Sequence, residues 1–181
     1  MKSKFSTRDM VLTALLIAVG LLIPMVFTGL PFRIVVGPYS ATLMAHVPVI
    51  LAMFISPASA VFTALGTTIG FFFTAPFIVA VRAASHIAFA AVGAILIKKG
   101  MKAIPLCALT GLIHAVFEGI VVMVFFAGGI SAPTPGYSIA ALVLITIIGT
   151  LIHHCIDFVI AYAVARPLAK TRFIRCLPPI K

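Results

Sequence analysis

The sequence predicts an all-α integral membrane protein, a single domain in which six transmembrane helices form one bundle over residues 1–181. Three observations predict it. The chain is 63% hydrophobic and only 9% charged, whereas soluble domains carry roughly 25% charged residues. Its length accommodates about six apolar spans of ~20 residues and no soluble domain besides. Its basic residues gather at three places: Lys2, Lys4 and Arg8; Lys98, Lys99 and Lys102; and Arg166, Lys170, Arg172, Arg175 and Lys181. Long apolar stretches separate them. The excess of Lys and Arg on cytoplasmic segments then places both termini and the central loop inside.

The spans follow in order. The first runs from about Met10 to Thr28, with Thr7 in position to cap it and Asp9 suited to its first turn. Pro24 bends or ends its far half. Gly29 to Tyr39 reads as a loop from its Gly and Pro content. A short second span covers about 40–54 and contains Pro48, and Ser56-Pro57 breaks the chain before a third span at about 57–73. Thr74-Ala75-Pro76 turns it into a fourth span at about 78–97. The basic loop KKGMK follows, then a fifth span at about 105–127, the loop GGISAPTPG, and a sixth span at about 137–165. An even number of spans keeps every basic cluster on one side; five or seven would put one outside.

The net charge of +10 lies in flanks and loops rather than on a folded basic face. Contact with anionic lipid headgroups therefore accounts for it better than nucleic acid does. Cys107, Cys155 and Cys176 show no metal-type spacing, so neither a disulfide nor a metal site is expected. The long apolar stretch from Met10 leads into further spans, unlike a cleaved signal peptide. There is no GxxxxGK[ST], HExxH or GxSxG motif, so neither a self-powered pump nor a protease is expected. The expectation is a protein that is not an enzyme.

Function must lie in the few ionisable residues at membrane depth, because a charge facing mid-bilayer lipid costs about 2.5–3.5 kcal/mol on insertion scales. Arg82 and His86 are four apart and share one helix face. Arg33 lies in the first outer loop and His46 in the outer half of the second span. These four can converge at the outer side, where an arginine grips a carboxylate through two parallel hydrogen bonds. A small organic anion entering from outside is the functional reading. The alternative is that Arg82 snorkels to the headgroups and His86 bonds a backbone carbonyl. His114 with Glu118 and His153 with Asp157 are also four apart. Such pairs satisfy each other in lipid, and the alternatives are a proton relay or a His-carboxylate metal site; His154 stands beside them. Phe71, Phe72 and Phe73 can stack on a ring or fill the core and interface. Ala14 and Ala18, with Gly20 near, form a small-residue face for close helix contact with a neighbouring span or another subunit.

The alanine motif ALLIA at 14–18 and the stretches SATLMAHVPVILAMFISP (40–57) and VRAASHIAFAAVGA (81–94) complete a pattern that extends over the whole chain. It resembles the substrate-binding subunit, or S component, of energy-coupling-factor (ECF) vitamin transporters. It is most similar to those for small carboxylate vitamins such as niacin or pantothenate. The resemblance implies a high-affinity binding subunit in the cell membrane that takes one vitamin near its outer side. It also implies docking, through Ala14 and Ala18, on a membrane scaffold that carries two cytoplasmic ATPases. The subunit itself would need no cofactor, since its partners use the ATP. Nickel and cobalt members begin Met-His, whereas this chain begins Met1-Lys2, so metal cargo is not expected. Arg82, His86, His46 and Arg33 are the expected vitamin-binding residues. The rival is a stand-alone proton-coupled transporter of a small organic anion, with His114, Glu118 and Asp157 as the proton path. It calls for a repeat or a broken helix pair, and the sequence displays neither.

Overall fold

In the computed structural model, which describes residues 5–27, 29–37, 39–132, 134–171 and 173–180, the chain is mostly helical. The helices are α1 (Thr7–Val26), α2 (Val47–Met53), α3 (Pro57–Thr74), α4 (Phe77–Ala84), α5 (His86–Lys98), α6 (Ala103–Ala127) and α7 (Ile139–Ala169). A hairpin of β1 (Arg33–Val36) and β2 (Tyr39–Thr42) sits between α1 and α2. Among the described residues, four helical segments are long and apolar enough to cross a bilayer: α1, the pair α4–α5, α6 and α7. The 18 residues of α3 reach about 27 Å at 1.5 Å each, close to the ~30 Å hydrocarbon thickness. The chain is thus a multi-pass, helical membrane protein. Lys2, Lys4, Arg172 and Lys181, and Thr28 at the expected end of the first span, lie outside the described residues.

Caps set the helix starts. Ser6, rather than Thr7, caps α1. Its hydroxyl accepts from the Asp9 amide while the Asp9 carboxylate accepts from the Ser6 amide, a reciprocal capping box. Pro24 is held inside α1. Ser56 caps α3 with Pro57 at its first position, and Ser138 caps α7.

Three expectations need correction. The 29–39 segment is not a plain loop, because it contains β1, which pairs antiparallel with β2 from Arg33 opposite Thr42 to Val36 opposite Tyr39. The second span is not helical from residue 40. Helix begins only at Val47, and residues 39–46 form the second strand and a turn. The fourth span is not one continuous helix. It breaks at Ser85, where the Ser85 amide bonds the Arg82 carbonyl and the Ala88 amide bonds the Ser85 carbonyl, tighter i to i+3 steps.

Irregular backbone at membrane depth persists only where protein satisfies its polar groups. Here it does: the Leu43 amide bonds the Phe32 carbonyl, and Ala45 bonds Thr42. The amides of Met44 and His46 donate to the two oxygens of Asp157 on α7 at 2.8 and 2.9 Å. His153 Nε2 reaches the Thr42 carbonyl at 3.0 Å. Met44 has a φ of 69°, a left-handed conformation costing roughly 1–2 kcal/mol for a residue with a side chain. The Asp157 carboxylate offsets it.

At the far end of the bundle the packing is apolar. Met53 and Phe54 at the end of α2 are buried with Ala94, Ile97, Leu106 and Phe158. The tail crosses this end as a strap. The amides of Arg175 and Cys176 donate to the Phe54 carbonyl, the Ala103 amide donates to Pro179, and the Tyr162 hydroxyl donates to Pro178. Arg175 also grips both oxygens of Asp9 at 2.7 Å. The start of α1, the end of α5, the start of α6 and the tail therefore meet at one end.

Helix α1 packs on α3 along a narrow line. A Cβ on Gly66 would sit 2.7 Å from Ile17, so only glycine admits that approach. With Thr13, Leu16 and Gly20 turned inward, Ala14 and Ala18 face outward, flanked by exposed Val11, Leu15, Val19 and Leu22.

A histidine-lined cavity as candidate vitamin site

The hairpin end holds a cavity of about 480 Å³, within the range typical of small-molecule sites. Its lining includes Arg33, His46, Arg82 and His86, the four residues expected from sequence to converge. Ser40, Thr42, Glu118 and His153 complete its polar side, while Pro24, Ala45, Phe71, Pro76 and Val79 form an apolar wall. Of the three consecutive phenylalanines only Phe71 lines the cavity; Phe72 and Phe73 are exposed on the outer surface.

Each polar side chain has a structural reason for its place. Arg82, in the last turn of α4, is buried, and its guanidinium donates to Glu118 Oε2 at 2.7 Å. The Thr150 hydroxyl donates to the same oxygen. The Tyr39 ring lies 5.6 Å from the Arg82 guanidinium carbon, a cation–π contact. Gly149 makes room for that ring: a Cβ there would meet it at 2.6 Å.

Arg82 thus reaches the cavity already engaged by a carboxylate. Arg33, on β1, is half-buried and its Nε has no hydrogen-bond partner. It stands at the cavity as a cation whose donor capacity is not filled.

All five histidines of the chain meet here. The ring centroid of His46 lies 4.6 Å from those of His86, His114 and His153, and 6.4 Å from that of His154. His86 and His114 are 4.9 Å apart. The expected i, i+4 pairs both form: His114 Nε2 is 3.4 Å from Glu118 Oε1, and His153 Nε2 is 3.2 Å from Asp157 Oδ2. Neither pair is isolated. Asp157 also holds His46, whose Nδ1 is 3.1 Å from Oδ2.

Thr110 Oγ1 donates to the Leu106 carbonyl at 2.7 Å and lies 3.0 Å from His154 Nε2, and His154 Nδ1 lies 3.3 Å from His114 Nδ1. His114 Nε2, 3.4 Å from Glu118 Oε1, is buried outside hydrogen-bond geometry.

Sequence reasoning listed Glu118 and Asp157 but paired each only within its own helix. It missed Glu118 as the partner of Arg82 and Asp157 as the anchor of Met44 and His46. Separations of 36 and 111 residues leave no local signal for such pairs.

No family model and no solved structure matches the chain. The niacin transporter NiaX of Lactococcus lactis subsp. cremoris (strain MG1363) is 37% identical over 175 residues, covering 92% of this chain and 77% of that protein. Identity of that degree over nearly the whole length, in a multi-pass helical protein with a polar cavity between its spans, decides the relationship. The chain belongs to the family of this niacin transporter.

Proposed function

We propose that this chain binds nicotinic acid in the hairpin-end cavity and serves as the substrate-binding subunit of an ATP-driven importer. One observation carries the reading. A chain 37% identical to a niacin transporter encloses about 480 Å³ between Arg33, His46, Arg82 and His86. Nicotinate is a planar ring with one carboxylate. Arg33 suits the carboxylate through charge-assisted hydrogen bonds, and the His46, His86 and Phe71 rings suit the pyridine by edge and face contacts. Because Glu118 already holds Arg82, Arg82 acts mainly by shaping the site. Pantothenate, the other vitamin considered, has a longer chain that would need more hydrogen bonds than the apolar wall supplies.

In this reading the chain makes six spans, counting the hairpin with α2 as the second; the three basic clusters support a cytoplasmic side for the termini, and with it an outer side for the cavity, in the cell membrane. The exposed Ala14 and Ala18 face of α1 supports docking on a membrane scaffold that carries two ATPases. Only 22% of the α1 span window is buried within the chain, against 50% for α6, so α1 has surface to give to a partner.

The test separates binding from import. Ala18→Trp overpacks the outward face without touching the cavity. Purified Ala18→Trp should bind labelled nicotinate as the wild type does, while cells relying on it should take up none. Normal uptake would remove the docking role from this face, and loss of binding along with uptake would show that α1 supports the cavity itself.

A further inference from the structure

We propose that His46, His86 and His114 form a three-imidazole site for a divalent transition-metal cation, with its open side toward the cavity. Each ring brings one nitrogen to within 4.8 Å of the other two. All three residues are at least 95% buried, and His46 and His86 line the cavity while His114 lies behind them. Three elements supply them: the turn before α2, the break at Ser85 and the middle of α6.

Two of the rings have a neighbour at one nitrogen, as metal-binding histidines usually do. His46 Nδ1 lies 3.1 Å from Asp157 Oδ2, and His114 Nδ1 lies 3.3 Å from His154 Nδ1. Yet His46 Nδ1, His86 Nδ1 and His114 Nε2 are all buried nitrogens without a hydrogen bond, an arrangement that costs stability unless something fills it. The second possible group, His46 with His153 and Asp157, carries less. There the His153 proton is already shared by the Thr42 carbonyl and Asp157, so His153 Nε2 has no lone pair to offer a cation.

The charges around the site balance: Arg82 with Glu118, and Asp157 behind His46 with Arg33 of the cavity lining. A bound dication would make the cavity floor positive and attractive to an anion. Neutral imidazoles suit Zn²⁺, Co²⁺, Ni²⁺ or Cu²⁺ and discriminate against Mg²⁺ and Ca²⁺. Metal–nitrogen bonds of about 2.0–2.1 Å require the rings to close inward slightly on binding. The site stands independently of the niacin reading, because its test contains no vitamin.

The experiment uses the full chain in detergent, with any affinity tag removed and metals stripped by a chelator. Co²⁺ is titrated by visible absorption and calorimetry, with Mg²⁺ as the comparison. One Co²⁺ per chain, with the intense absorption of a tetrahedral ion and no response to Mg²⁺, is expected. Azide, a small anionic ligand, should shift that absorption by entering the open position. His86→Asn should weaken Co²⁺ binding by about 100-fold or more, since even outer partners of metal ligands are worth 10- to 100-fold. Replacing all three cysteines by serine should change nothing. Co²⁺ should also raise the unfolding temperature of the wild type, a readout that requires no variant to fold. Absence of stoichiometric Co²⁺ binding, or binding unchanged in His86→Asn, would overturn the site. An absorption unmoved by azide would overturn its open side.

Discussion

The two ends of the bundle are built on opposite terms. At the hairpin end, Arg82, Glu118, Asp157 and all five histidines are buried around a cavity. At the far end, Met53, Phe54, Ile97 and Leu106 close into an apolar core strapped by the tail. Apolar packing stabilises without direction, whereas a buried ion network returns little net stability and becomes a liability when one member is removed. Such a network persists where a binding surface needs it. The contrast supports the proposed site at the hairpin end and leaves the far end to hold the spans together.

Breaking the polar end should have the largest effect. Asp157→Ala strands the buried amides of Met44 and His46 together with two histidine contacts. It should cost about 3–5 kcal/mol, measured by denaturation in detergent, and should disorder the cavity wall enough to abolish nicotinate binding. Next comes Arg82→Gln, which leaves Glu118 buried without its cation and should cost about 3 kcal/mol. Adding Glu118→Gln should recover most of that loss, and a double-mutant cycle reads the coupling. Additive losses would mean that the pair does not act as a unit. The smallest effect is expected at the far end. Arg175 is 35% exposed in its pair with Asp9, so Arg175→Gln should cost only about 1 kcal/mol or less, and added salt should erase part of it. A loss there as large as at Asp157 would make the tail strap, rather than packing, the brace of that end.

Much of this contrast was legible in sequence because it is written in residue types. Basic clusters mark span ends, and ionisable residues inside apolar stretches mark the polar interior. Arg33, His46, Arg82 and His86 were therefore named together and do line one cavity. The hairpin was missed although a signal existed: Ile34, Val35 and Val36 form a β-branched run before Gly37-Pro38, which reads as a strand and turn. The late start of α2 was not legible, because the stretch 39–46 is held open by Asp157 and His153 from the far end of the sequence. The Arg82–Glu118 pair was not legible, because its members lie on different helices 36 residues apart. Conversely, the outward aim of Ala14 and Ala18 depended on Gly66 accepting Ile17, a packing choice between helices that one helix's spacing cannot reveal.

The central claim is that the cavity at the hairpin end holds a monocarboxylate vitamin against Arg33. Calorimetric titration of nicotinic acid and its amide into the wild type and into Arg33→Gln tests it most directly, with pantothenate as a competitor. Loss of a charge-assisted contact of about 1.5–3 kcal/mol should weaken the acid by roughly ten- to over a hundred-fold in Arg33→Gln. The amide should bind both proteins alike, and pantothenate should not displace the acid. An acid affinity unchanged in a folded Arg33→Gln protein would contradict the account.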